Sequence, residues 1–116
     1  MPQRMPLLLD RIEALLDVRP TVAEPQAVAR IERTLTDGYA SALALEGERL
    51  RIDREIQTVT AGINSGNPSR RAEELSLLTR RRTKVDGELV HLRERLELLR
   101  RKARELRTSF PQAQAT

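Results

Sequence analysis

Apolar residues recur at alternating steps of three and four along two stretches of this chain. The first runs Val28, Ile31, Leu35, Gly38, Ala42, Leu45, Arg49, Ile52, Ile56, Val59 and Ile63; the second runs Leu75, Leu78, Arg82, Val85, Leu89, Leu92, Leu96, Leu99, Ala103, Leu106 and Phe110. A mean step of about 3.5 residues keeps one edge of a helix facing a partner along its whole length, as a coiled coil requires. The spacing predicts long helices over 26–61 and 68–108. Between them GINSGNPS supplies two glycines, a proline and capping-type Asn and Ser residues, so a turn is expected over 62–67. Either Asn67 caps the next helix with Pro68 in its first position, or Ser69 caps one step later. The expected body is an all-α antiparallel two-helix coiled-coil hairpin over 26–110, about 50 Å long.

Composition decides what can fill such a seam. One Phe, one Tyr and no Trp among 116 residues leave Leu, Ile, Val and Ala to do the burying, which favours helices packed along lines over a thick globular core. The absence of Cys excludes disulfides, thiolate metal ligands and a cysteine nucleophile. At 39% apolar and 33% charged the chain is expected to fold as one domain. Asp10 and Glu13 interrupt the N-terminal apolar run, so neither a signal peptide nor a membrane span is expected, and the cytoplasm is the expected compartment.

Upstream of the hairpin, PLLLDRIEALLDV places Leu8, Ile12 and Leu15 on one face of a short amphipathic helix within 1–19. A Pro-containing linker over 20–25 follows. Too short to persist alone in water, this helix is expected to fold back over the end of the hairpin that carries Leu43, Val90 and Leu98, or onto another copy. Residues 111–116 read as a disordered tail, and no internal repeat is evident.

Arg49 and Arg82 occupy seam positions where the pattern calls for apolar residues. Two registers are open. One centred on the turn puts both arginines in one layer. The other opposes Arg49 to Val85, Arg82 to Ile52 and Gly38 to Leu96, pairs small residues with large ones, and is preferred for that reason. Unpaired guanidinium groups in a dry layer cost several kcal/mol each, so the pair needs acids, water or an anion. Asp53 and Asp86 each follow an arginine by four residues, within helical reach, giving a local solution in which the polar layer sets register. Alternatively both arginines bind a phosphate, an anionic nucleotide or a partner carboxylate. The Arg-to-Asp distance of four at Arg49 with Asp53 and Arg82 with Asp86 resembles part of the motif of anti-sigma factors that bind a cyclic dinucleotide on an antiparallel coiled coil. The Ser and Gln positions of that motif differ here. The resemblance implies a ligand-gated regulator.

Leu43, Leu50, Leu77, Val90 and Leu98 lie beside the seams rather than in them, and a single hairpin has no place to bury them. With Leu8, Ile12 and Leu15 they are candidate protein-interface residues, and a homodimeric helical bundle is expected, with a three-helix monomer as the alternative. Gly47 and Gly87, at the level of the arginine layer, are candidates for a flat docking spot. The third helix carries thirteen Lys and Arg against seven Asp and Glu, and Arg100, Arg101, Lys102 and Arg104 form a basic patch suited either to the helix C-terminus or to nucleic acid. His91 is the single histidine, so no metal site, catalytic triad or cofactor site is expected. The reading is a non-enzymatic coiled-coil adaptor or regulator that acts on itself and on another protein. An anionic nucleotide at Arg49/Arg82 and nucleic acid on the third helix are the alternative partners.

Overall fold

The computed structural model describes residues 4–17, 25–62 and 66–109. Among them every regular element is a helix: α1 (Arg4–Leu16), α2 (Pro25–Ala61) and α3 (Pro68–Ser109). The all-helical expectation holds. The linker before Pro25, the centre of the turn with Ile63, Phe110 and the tail over 111–116 lie outside the described residues.

The helix ends follow from local chemistry. Gly62 N donates to Thr58 O and Val59 O, each at 3.2 Å, closing α2. Gly66 adopts φ +74°, a left-handed conformation that a Cβ disfavours. Asn67 is the cap of α3: its Oδ1 accepts from Ser69 N at 3.1 Å and Arg70 N at 3.3 Å, with Pro68 in the first helical position, where its missing N–H costs nothing. At the other end of α1, Lys102 Nζ donates to Leu16 O at 2.8 Å, so a side chain from α3 satisfies a terminal carbonyl that has no intrahelical partner.

The chain divides into two units. The first combines α1, α2 up to Ala42 and α3 from His91 onward. Its core takes Leu8 and Ile12 from α1, Ala27, Ile31 and Ala42 from α2, and Leu92, Leu96, Leu99, Ala103 and Leu106 from α3. These are the lines that the heptad spacing picks out, with Ala27 added. Thr34 is the one buried polar residue among those described, and Arg11 Nη2 donates to its Oγ1 at 3.2 Å. Ion pairs Arg95–Glu13 at 3.0 Å and Arg11–Asp37 at 3.2 Å tie α1 to α3 and α2, and Arg107 pairs with Glu32. Thr34, Arg95 and Lys102 each come one residue before a seam position, so α1 sits on that side of both helices.

That placement corrects two expectations. Leu8 and Ile12 are used in the core of their own unit, so they are not free to form an interface; Leu15 stays half-buried. Leu43, Val90 and Leu98, expected to be covered, remain 70%, 56% and 41% exposed. Leu43 and Val90 come one residue after a seam position.

The second unit, Leu43–Val90, is thinner. It buries Leu45, Ile52 and Val59 of α2 and Leu78, Val85 and Leu89 of α3, with Ile56 and Leu75 half-buried. Two helices alone bury each seam from one direction only, which limits the core this unit can build.

Two glycines within α2 separate packing from propensity. A Cβ on Gly38 would overlap Cδ2 of Leu96 and stand 3.2 and 3.3 Å from its Cγ and Cδ1, so the whole buried isobutyl group would have to move. A Cβ on Gly47 would meet nothing within 4 Å. Alanine gains about 1 kcal/mol of helix propensity at either site, but overpacking costs roughly 1–3 kcal/mol at the first. Urea denaturation is expected to show Gly38→Ala less stable than the parent and Gly47→Ala more stable by up to about 1 kcal/mol.

Candidate functional site

In the unit 43–90 the two seam arginines are held by aspartates of the other helix. Arg49 Nε of α2 stands 3.0 Å from Asp86 Oδ1 of α3, and Arg82 Nε of α3 stands 3.2 Å from Asp53 Oδ1 of α2. The local pairing expected along each helix is therefore replaced by an exchange between helices. The reason is directional: a seam side chain projects toward the neighbouring helix, and the aspartate that borders the opposing seam is the acid it meets first. All four side chains are roughly half-exposed, so the guanidinium groups run out of the seam along their stems and keep one edge in water. Arg81–Glu55, at 3.9 Å, extends the same set.

The two contacts are not equivalent. Both pairs are held by charge rather than by an aligned hydrogen bond, and they differ in that Asp86 Oδ1 is buried from solvent. The layer as a whole carries two guanidiniums and two carboxylates and is neutral.

The exchange also exposes a repeat that the sequence analysis does not find. Residues 49–56 read RLRIDREI and residues 82–89 read RTKVDGEL, so Arg, a β-branched seam residue, Asp, Glu and an aliphatic seam residue recur at identical offsets. Each segment offers the other the same cation and the same acid. A search for similar octapeptides, rather than for long repeats, is the signal that reveals it.

The other candidate residues fall into three groups. Leu50 and Leu77 are 57% and 58% exposed, and with Leu43 and Val90 they make the described part of the second unit rich in uncovered aliphatic surface. Leu43, Leu50 and Val90 each directly follow a seam position and share one flank. Leu77 and Leu98 each precede one and lie on the other. Of the basic patch, Arg100, Arg101 and Arg104 gather around Glu97 at 3.0, 3.6 and 3.9 Å, and Lys102 is engaged at the end of α1, so Lys102 drops out of the patch. His91 is exposed, as are Ser69 and Ser76, while Ser41 is partly buried and Ser65 and Ser109 lie outside the described side chains. Among the described residues no three His, Cys, Asp or Glu side chains converge as metal ligands, and no helix is long and apolar enough to cross a membrane.

No protein-family model matches the chain, and no curated protein or solved structure matches it either.

A double-mutant cycle tests the exchange. Arg49→Ala and Asp86→Ala are expected to couple by roughly 0.5–1 kcal/mol in denaturation experiments, the range for a partly solvated pair. Arg49→Ala with Asp53→Ala should be additive to within a few tenths of a kcal/mol, which local pairing along α2 would contradict.

Proposed function

We propose that this protein is a cytoplasmic, non-enzymatic interaction module whose α2 and α3 form an antiparallel coiled-coil hairpin, and that the hairpin works by docking a second copy of itself along the flank of Leu43, Leu50 and Val90. The observation that carries this is the exposure of those three aliphatic side chains, at 70%, 57% and 56%, on a pair of helices with a thin core of their own. The flank supplies what an isologous contact needs, an apolar strip that can meet its own copy across a two-fold axis and complete a four-helix arrangement. Gly47 adds room beside it.

Magnitudes favour a reversible complex. Six such side chains per dimer, at about 1–2 kcal/mol each for the area still exposed, are comparable with the roughly 4–15 kcal/mol that association costs in lost freedom. Regulation by concentration or by a competing partner helix fits that balance.

The ligand-gated reading, an anionic nucleotide at Arg49 and Arg82, draws less support because both guanidiniums already face an aspartate. Nucleic-acid binding through Arg100, Arg101 and Arg104 is weakened by their shared use of Glu97. In the proposed reading the arginine layer sets the register of the hairpin, a role for which a polar layer in a seam is well suited.

Sedimentation velocity across a concentration series tests the proposal. The parent is expected to move from monomer to dimer, Leu43→Glu and Leu50→Glu to remain monomeric with unchanged helicity, and Leu77→Glu on the other flank to dimerise like the parent. A parent that stays monomeric at millimolar concentration would overturn the reading.

A further inference from the structure

In the first unit α1 and α2 border an open groove of about 680 Å³ lined by Arg11, Ala14, Leu15, Arg30, Arg33, Thr34, Thr36 and Asp37. Its size falls in the range of small-molecule sites, roughly 300–1,000 Å³. One end is already satisfied. Arg11 Nη2 bridges Thr34 Oγ1 and Asp37 Oδ2, each at 3.2 Å, and Thr36 Oγ1 donates to Glu32 O at 3.1 Å. The other end is not. Arg30 and Arg33, three residues apart on the same face of α2, have no carboxylate or hydrogen-bond partner among the described residues.

The contrast with the rest of the unit is informative. Arg95, Arg100, Arg101, Arg104 and Arg107 all stand against glutamates, and Arg11 stands against Asp37. Arg30 and Arg33 are the two arginines that border the concave surface without an acid, and with Arg11 they leave the lining two positive charges in excess over Asp37. Both arginines are exposed, and between them and α1 the lining is apolar, formed by the exposed Ala14 and the half-buried Leu15.

We infer that this groove binds a small organic dianion, a phosphomonoester carrying a compact apolar group, with Arg30 and Arg33 holding the phosphate and Ala14 and Leu15 receiving the apolar group. Guanidinium forks match phosphate oxygens bidentately, and two of them match a double charge. The apolar wall is what separates this ligand from inorganic phosphate, which would gain only the charge contacts. The site is distinct from the Arg49/Arg82 layer and does not depend on the dimer.

The test is calorimetric titration of the full chain with phenyl phosphate, inorganic phosphate and benzyl alcohol at fixed ionic strength. Variants Arg30→Gln/Arg33→Gln and Arg51→Gln/Arg54→Gln are run alongside, the second pair being exposed arginines of the other unit. Phenyl phosphate is expected to saturate a single site at least about tenfold more tightly than inorganic phosphate, to lose that affinity in Arg30→Gln/Arg33→Gln and to keep it in Arg51→Gln/Arg54→Gln. Far-ultraviolet circular dichroism of each variant confirms that the helices persist. Equal affinity for the two phosphates, equal loss in both double variants, or binding that survives Arg30→Gln/Arg33→Gln would each overturn the site.

Discussion

An arginine can stand in the buried line of a helix pair only if a carboxylate comes with it, and here the carboxylate comes from the opposite helix. That constraint does more than neutralise charge. The pairs Arg49–Asp86 and Arg82–Asp53 hold only in the alignment that brings both together, and sliding either helix by a turn would leave two guanidiniums against aliphatic side chains. Apolar heptads by themselves discriminate poorly between such alignments, because one leucine layer resembles the next. The layer therefore selects among packings of similar hydrophobic energy, and the half-exposure of its members keeps the desolvation penalty well below that of a dry ion pair.

The lines of the core were legible from spacing alone. Of the seam positions within the described side chains, the aliphatic ones are buried or half-buried in both helices, because the heptad period admits a single helix edge and the edge has to face something. The cap of α3 was legible only to within two candidates, Asn67 and Ser69, and the bonds from Ser69 N and Arg70 N to Asn67 Oδ1 decide for the first. The partners of the arginines were not legible. A carboxylate four residues along the same helix and one across the interface are both within reach of a guanidinium, and only the register, which spacing does not settle, decides between them. The position of α1 was equally hidden. Its burial of Leu8 and Ile12 followed from its own pattern, whereas the side it occupies depends on Thr34, Arg95 and Lys102, polar residues that a search for apolar faces passes over.

Polar contacts thus add direction to the aliphatic core of the first unit. α1 is oriented by a hydroxyl, a carbonyl and two carboxylates in addition to its two buried aliphatics. A helix of 13 residues, marginal on its own, acquires a defined rotation about its axis in this way. The same rotation turns Ala14 and Leu15 toward α2 and creates the concavity beside Arg30 and Arg33.

Charge distribution completes the argument. The chain carries a formal net charge of +4, and among its seventeen acids Asp53, Glu55 and Asp86 in one unit and Glu13, Glu32 and Asp37 in the other each meet an arginine of another helix. The surplus falls on outward residues such as Arg51, Arg54, Arg70 and Arg80, which water covers at little cost. Arg30 and Arg33 are exposed like these, have no partner among the described residues, and differ in lining a groove beside Ala14 and Leu15. Two like charges three residues apart on a helix repel, and a structure that tolerates this repulsion at the rim of a groove is stabilised by whatever anion settles between them.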